Sequence, residues 1–193
     1  LNINLKPPPL KEQQRIVAKL DAVFAEINKV ITIKKSTEKN IEKLKSSILN
    51  NLLNNNFLNT KIGDICELIY GKGLPKEKRV NENGIPAYGA NGIKCYASEP
   101  LYNRPSIIIG RKGSAGELQW VDNPFWALDV TYYVLPNEKK VNLKFLYYLL
   151  QMQNLPKLAK GVKPGINRNE VYNIDIKLPT IDEQIKIIGR LEK

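Results

Sequence analysis

The stretch LKEQQRIVAKLDAVFAEINKVITIKKSTEKNIEKLKSSILNNLL, residues 10–53, contains neither proline nor glycine. These are the two residues that most strongly interrupt a helix. Prolines directly precede the stretch, where a missing backbone N–H costs nothing, and Glu12 in the first turn complements the helix dipole. The sequence therefore predicts one helix from Leu10 to about Leu53, which would be about 60 Å long at ~1.5 Å per residue.

Apolar residues recur within this stretch at alternating steps of four and three, the heptad spacing of a coiled-coil seam. The alternative is an amphipathic core helix, but such helices usually run about 8–20 residues. A longer helix requires a partner helix, and Lys34 and Thr37 would fix the register of the pairing. We predict that the pairing residues are Ile16, Leu20, Val23, Ile27, Val30, Ile41, Leu44 and Ile48.

The beginning of the chain is repeated at its end. PPPLKEQQRIVAKL at residues 7–20 corresponds to LPTIDEQIKIIGRL at residues 178–191, at a constant offset of 171 residues. A period this long exceeds the ~20–50 residues of solenoid repeats. It predicts a whole domain plus a connector that is used at least twice, so we interpret the chain as a segment of a longer tandem protein.

Between the two copies the pattern changes. From about Asn59, short apolar runs alternate with Gly, Pro and Asn, which is typical of strands and turns. One helix is predicted from Val141 to about Asn154, and asparagines at positions 50–56 are predicted to end the long helix. The predicted fold is α+β, with one mixed globule attached to a long coiled-coil-forming helix. Its segments are a strand and proline linker that end a preceding repeat (1–9), the long helix (10–57), the globule (58–178) and the start of a second helix (179–193).

The charge balance indicates a polyanionic partner. The chain carries 30 Lys and Arg against 19 Asp and Glu, a net charge of +11. Such an excess fits nucleic acid or an anionic membrane surface, although a lysine-rich, AT-biased genome would produce it too. No apolar run approaches the ~18 residues of a membrane span and no signal peptide is visible, so we expect a cytoplasmic protein without membrane contact. Cys66 and Cys95 show no metal or redox spacing and are expected to be reduced thiols.

Several patterns that would carry catalysis are incomplete. Histidine is absent, which removes the most common general base and transition-metal ligand. NPFW at residues 123–126 has one proline where the base-binding loop of amino methyltransferases has two, and no glycine-rich cofactor loop precedes it. GRKGSAG at residues 110–116 lacks the P-loop spacing. We therefore expect binding rather than catalysis, with no metal in this chain.

Basic and amide side chains near aromatic residues are candidates for a nucleic-acid face. Arg and Asn make bidentate contacts to guanine and adenine edges, and Lys contacts phosphates. For any one of these residues a solvated surface role stays open. The predicted DNA-binding residues are Tyr70, Lys72, Lys76, Arg79, Tyr88, Asn91, Arg111, Lys112, Ser114, Lys163, Asn167 and Arg168.

These motifs resemble one family, the specificity subunits of Type I restriction–modification systems. PLKEQQRI at residues 9–16 resembles the P-L-x-E-Q-x-x-I start of the family's conserved-region helix, and TIDEQIKI at residues 180–187 is a less perfect copy. Three further stretches resemble the family's target recognition domain: IPAYGANGI at 85–93, SIIIGRKGSAG at 106–116 and GINRNEVYNIDIKLP at 165–179.

The resemblance implies a non-catalytic subunit with two recognition domains, each of which reads one half of a split DNA site. Two long helices would pack as an antiparallel coiled coil that sets the gap between the half-sites. It implies no cofactor in this chain, S-adenosylmethionine in the modification subunits that it recruits, and ATP with magnesium in motor–nuclease subunits. Because this chain holds one recognition domain, we expect a homodimer through the long helix. Two other interpretations stay open: a coiled-coil adaptor whose globule binds protein, and the remnant of a fused DNA methyltransferase.

Overall fold

The computed structural model describes residues 7–53, 57–81 and 83–192. The predicted strand at residues 1–6 and the predicted helix end at residues 54–56 lie outside these ranges. The described helices are α1 (Leu10–Leu53), α2 (Leu143–Met152), α3 (Arg168–Tyr172) and α4 (Ile181–Leu191). None of them carries an apolar stretch long enough to cross a lipid bilayer.

The chain divides into two compact units between Lys45 and Ser46. The first unit contains most of α1, which is one uninterrupted helix of 44 residues, as the absence of proline and glycine predicts. The last turns of α1 belong to the second unit, where Leu49 and Leu53 are buried in its core. The sequence prediction placed the start of the globule at residue 58, whereas the compact unit already begins within the helix.

The first unit presents a broad apolar stripe. Of the predicted pairing residues, Ile16, Leu20, Val23, Ile27, Val30, Ile41 and Leu44 are each at least 41% exposed. Ile48 differs, because it is half-buried and packs against the core of the second unit. Val17, Phe24 and Ile31 recur at intervals of seven and are exposed as well. The sequence analysis missed this additional row, which makes the stripe wider than a single heptad seam.

The second unit is built mainly of antiparallel strands. They are β1 (Leu58–Lys61), β2 (Cys66–Tyr70), β3 (Arg79–Val80), β4 (Ile85–Gly89), β5 (Gly92–Ala97), β6 (Ser106–Gly110), β7 (Leu118–Val121), β8 (Trp126–Ala127), β9 (Thr131–Pro136) and β10 (Asp175–Leu178). Among the described residues one sheet has the order β2-β9-β6-β7 and another the order β3-β5-β4-β8, in which β4 and β8 are parallel. β1 pairs with β10, so the two ends of the strand region meet.

The apolar run in β6 forms a strand that is buried on both faces. All five residues of SIIIG are buried, and alternate side chains of a strand point to opposite faces. Ile107 and Ile109 belong to the core that α2 and α4 cover, whereas Ile108 belongs to the aromatic cluster around Phe125. A strand buried on both faces is apolar throughout instead of alternating.

The two thiols have different surroundings, which gives a first prediction. Cys66 is buried, and burial raises the pKa of its thiol to about 12, whereas Cys95 is half-buried. Because the thiolate is the reactive form, a maleimide at pH 7.5 is expected to label Cys95 and leave Cys66 unmodified. Peptide mass mapping measures this, with denatured protein as the control in which both thiols react. Equal labelling of both thiols in the folded chain would contradict this packing.

Candidate nucleic-acid interface

An exposed tyrosine at the end of β2 contacts two guanidinium groups. The guanidinium carbons of Arg111 and Arg168 lie 5.3 Å and 5.1 Å from the ring centroid of Tyr70. Tyr132 packs against the same ring edge to face, at 5.0 Å between centroids. Cation–π contacts at exposed sites contribute about 0.5–1 kcal/mol each, so the arginines are held in place. We call Tyr70, Arg111 and Arg168 the arginine–tyrosine centre.

Arg111 is oriented by the turn that follows β6. A Cβ on Gly110 would lie 2.0 Å from the carbonyl oxygen of Ser114, so only glycine allows this turn to close. The Nε and Nη2 groups of Arg111 donate to the carbonyl oxygen of Asp129 at 3.1 Å and 2.8 Å. A guanidinium has five N–H groups, and within the described residues these two bonds leave three of them for a ligand.

A second basic loop is joined to the Arg111 turn. Lys160 and Gly165 exchange two backbone hydrogen bonds of 3.0 Å and 3.1 Å, which close the loop that carries Lys163. The backbone N–H of Ile166 donates to the carbonyl oxygen of Arg111 at 3.0 Å. Lys163 is exposed at this loop, as is Lys112 at the other. The structure thus brings together predicted residues that are about fifty positions apart in the sequence.

Tyr132, which the sequence analysis did not select, anchors this arrangement. It is buried beneath Tyr70, and its hydroxyl donates to the carbonyl oxygen of Ile166 at 3.0 Å. Burial, and next the hydrogen bond with Tyr70, raise the pKa of Tyr132 to about 12. The hydroxyl therefore stays protonated and keeps donating throughout the physiological pH range.

Tyr132→Phe is expected to lower the free energy of unfolding by about 1–2 kcal/mol, because the buried carbonyl of Ile166 loses its donor. Urea denaturation measures the loss. Tyr133→Phe is the matched control, since it retains the ring that packs against Phe125 and is expected to cost less than about 0.5 kcal/mol. Equal losses in the two variants would show that the Tyr132 hydroxyl does not hold the loop.

Three further predicted residues, Lys72, Lys76 and Asn91, lie on two other segments of the second unit. Lys72 and Lys76 are exposed in the segment after β2, where the backbone N–H of Lys72 donates to the carbonyl oxygen of Ala127 at 2.8 Å. Asn91 is exposed in the turn between β4 and β5. Its neighbour Ala90 lies close to the Arg111 turn. A Cβ built on Gly110 of that turn would lie 3.2 Å from the Cβ of Ala90.

Some predicted DNA-binding residues also have contacts within the globule. Asn167 caps α3, and its side-chain oxygen accepts a hydrogen bond from the backbone N–H of Asn169 at 2.9 Å. Tyr88 is half-buried and packs edge-on against Phe125 at 6.3 Å. Arg79 points its Nε and Nη2 groups at the carbonyl oxygen of Leu74, at 3.4 Å and 3.3 Å. Ser114 supplies the backbone oxygen around which the Arg111 turn closes. The sequence analysis did not predict these packing and turn roles.

The two aromatic residues of the NPFW motif, Phe125 and Trp126, are buried. Phe125 is fully buried and contacts the rings of Tyr88, Tyr102 and Tyr133. The indole N–H of Trp126 donates to the carbonyl oxygen of Lys72 at 2.8 Å. A methyltransferase loop must expose an aromatic ring to stack on an extruded base. Both aromatic rings of this motif are instead buried in the globule, which they stabilise.

Comparison with known families identifies the family to which this chain belongs. Residues 54–193 match the model of the Type I restriction modification DNA specificity domain. The chain belongs to this family. The match covers the strand region, α2, α3 and α4, and it confirms the resemblance seen in the sequence motifs.

Relatives and solved structures within the Type I specificity family agree with this assignment. A putative type I restriction enzyme specificity subunit of Haemophilus influenzae is 27% identical over an alignment of 137 residues, and the match covers 68% of this chain and 35% of that protein. The EcoprrI specificity subunit of Escherichia coli is 28% identical over an alignment of 140 residues, and the match covers 68% of this chain and 34% of that protein. The chain thus spans about a third of the length of these relatives.

The crystal structure of the HsdS subunit from Thermoanaerobacter tengcongensis has the same fold. It matches with a TM-score of 0.63 at 22% identity and covers 96% of this chain and 51% of that one. The predicted α+β class, a globule with strands attached to a long helix, is therefore confirmed.

Proposed function

We propose that this chain binds double-stranded DNA and reads one half of a bipartite site, as the recognition part of a Type I specificity subunit. The arginine–tyrosine centre carries the proposal. It places two oriented guanidinium groups and an exposed aromatic ring on one edge of a DNA-specificity globule. Arginine donates two parallel hydrogen bonds to O6 and N7 of guanine in the major groove.

The surrounding lysines would supply the affinity that does not depend on sequence. Lys72, Lys112 and Lys163 are exposed beside the centre, and Lys contacts to phosphate set the position of a protein on the duplex without reading bases. Lys160 contributes less, because it is paired with Glu170. Bases would be read by the centre and by Asn91, whose turn lies beside it.

The chain itself would be non-catalytic and would act in the cytoplasm on the host's DNA. It would recruit modification subunits that bind S-adenosylmethionine and, where they are present, motor–nuclease subunits that use ATP and magnesium. A methyltransferase remnant is disfavoured by the burial of Phe125, and a protein-binding adaptor is disfavoured by the family membership. Two copies would pair through the apolar stripe of α1 and so present two recognition globules.

The salt dependence of binding tests the phosphate contacts. The logarithm of the affinity is expected to fall with the logarithm of salt concentration by ~0.9 for each phosphate contact. Lys72→Ala and Lys163→Ala are each expected to weaken binding to all duplexes alike and to reduce that slope by about 1. Fluorescence anisotropy measures both quantities, with Lys139→Ala as the charge-matched control. A salt-independent affinity would contradict DNA binding at this surface.

A further inference from the structure

The loop at residues 160–165 presents an apolar side chain to solvent. Val162 is 104% exposed, and no other large apolar residue that the structure describes reaches this fraction, since the next, Leu58, is 71% exposed. Single exposed apolar residues are common on protein surfaces. Exposure alone therefore assigns Val162 no role, and the rigidity and charge of its surroundings decide what it contacts.

Residues 160–165, which we call the Val162 loop, are held in one conformation. Two backbone hydrogen bonds close the base of the loop. Near its tip, the backbone N–H of Gly113 in the Arg111 turn donates to the carbonyl oxygen of Pro164 at 3.0 Å. Gly161 has a φ of +91°, a left-handed value that favours glycine, and proline fixes its own φ. The loop thus presents Val162 in a defined position beside the Arg111 turn.

Cations flank the exposed valine. Lys163 follows it in the loop, Lys112 lies in the adjoining turn, and both are exposed. Within the described ranges neither lysine forms an ion pair, so both charges are available to a ligand. One apolar tip between cations fits a groove of duplex DNA, because phosphates line the groove and bases form its floor.

The chemistry of base edges restricts what an apolar tip can recognise. In the major groove thymine presents a methyl group at C5, whereas the minor groove offers only polar edge groups that distinguish the pairs poorly. Valine has one strongly preferred χ1 rotamer, so a methyl contact costs it little entropy. The arginine–tyrosine centre, to which Arg111 belongs, would read guanine in the same groove.

We propose that Val162 contacts the C5-methyl group of a pyrimidine in the major groove, which is thymine in unmodified DNA. Val162 is then a specificity-determining residue, and the half-site contains an A·T pair close to the guanine that the centre reads. Lys112 and Lys163 would bind the phosphates beside that pair. This inference rests on the proposed DNA recognition and adds an apolar contact to it.

Replacing thymine by deoxyuridine tests the contact, because it removes the methyl group and keeps the hydrogen-bonding groups. Each thymine is replaced in turn in the duplex that the unchanged chain selects from a randomised pool. At one position the unchanged chain is expected to bind about 3- to 10-fold more weakly, as for the loss of one or two buried methyl-sized groups. Val162→Ala is expected to bind both duplexes equally. Fluorescence anisotropy measures the ratio.

Val80→Ala is the matched control, because Val80 is an exposed valine of β3 outside the Val162 loop, and it should keep the thymine preference. 5-Methylcytosine carries the same methyl group and is compared with cytosine at the same position. A gain with 5-methylcytosine would show that the methyl group suffices for the contact, and no gain would show that Val162 fits thymine alone. Val162→Ala should remove the thymine preference in both cases.

A selected half-site without thymine, equal binding of thymine and deoxyuridine at every position, or a thymine preference that Val162→Ala retains would overturn the proposal. If guanine preference persisted, the proposed DNA recognition would stand without this contact, whereas a pool that stays random would refute both. Loss of DNA bending in Val162→Ala, with thymine and deoxyuridine bound equally, would instead assign the valine to a wedge between base steps. Because Val162 is fully exposed, Val162→Ala should leave the Tm unchanged.

Discussion

Arg168→Ala and Arg111→Ala are each expected to weaken binding to the preferred duplex by about 5- to 150-fold, equivalent to ~1–3 kcal/mol for a bidentate base contact. Both guanidinium groups stack on Tyr70, so each is held near its binding geometry before DNA arrives. Preorganisation of this kind lowers the entropic cost of forming the contact. Anisotropy titrations with the preferred duplex and a scrambled one measure the loss of affinity and of specificity together.

Arg168→Lys tests whether specific binding needs the planar shape of the guanidinium group or only its positive charge. Lysine retains the positive charge but lacks the planar fork that binds guanine and stacks on a ring. The variant is expected to keep its binding to scrambled DNA and lose most of its preference for the specific duplex. Arg104→Ala is the control, because Arg104 is an exposed arginine that pairs with Glu138 and is not part of the centre. If Arg104→Ala weakened specific binding as much as Arg168→Ala, the effect would be one of net charge, and the centre would have no role in reading bases.

Ile27→Asp is expected to dissociate the proposed homodimer and raise its Kd at least 150-fold. Ile27 is 46% exposed in the middle of the apolar stripe. Burial of an isoleucine contributes about 1.5–3 kcal/mol, and a symmetric dimer loses this contribution twice, so the loss is ~3 kcal/mol or more. The aspartate adds an uncompensated charge at the interface. Sedimentation equilibrium measures the change in Kd.

Ala25→Asp is the matched control for that substitution. It adds the same single charge two positions away, on the face of α1 opposite the apolar stripe, where Ala25 is exposed, and should leave the dimer intact. Circular dichroism of both variants checks that α1 remains helical. A monomeric parent chain at high concentration, or equal dissociation by Ile27→Asp and Ala25→Asp, would show that the stripe does not pair with another helix.

The long helix could be predicted from the sequence because its determinants are local. Forty-four residues without proline or glycine, with heptad spacing, specify one helix whatever surrounds them. The packing of Ile48 against the globule could not be predicted from the heptad spacing. It continues the heptad phase, yet it lies where α1 already packs on the globule. Tertiary contact there overrides the periodic pattern.

The centre could be predicted as a set of residue types but not as a geometry. Tyr70, Arg111 and Arg168 lie on three separate segments, and the pairing of β2 and β6 with β9 brings the first two together. Strand order is a long-range property that spacing along the sequence does not encode. The cap formed by Asn167 is different. Asparagine before a short helix is a local signal, and it could have predicted that Asn167 caps α3.

Selection of bound duplexes from a randomised pool, followed by sequencing, tests the central claim most directly. The full chain is predicted to enrich one short half-site sequence that contains at least one G·C pair, in two spaced copies where a homodimer holds two globules on one duplex. Arg168→Ala is predicted to retain the other positions of the half-site while losing its preference at a guanine. A pool that stays random with the unchanged chain, or an identical half-site selected by Arg168→Ala, would contradict base reading by the arginine–tyrosine centre.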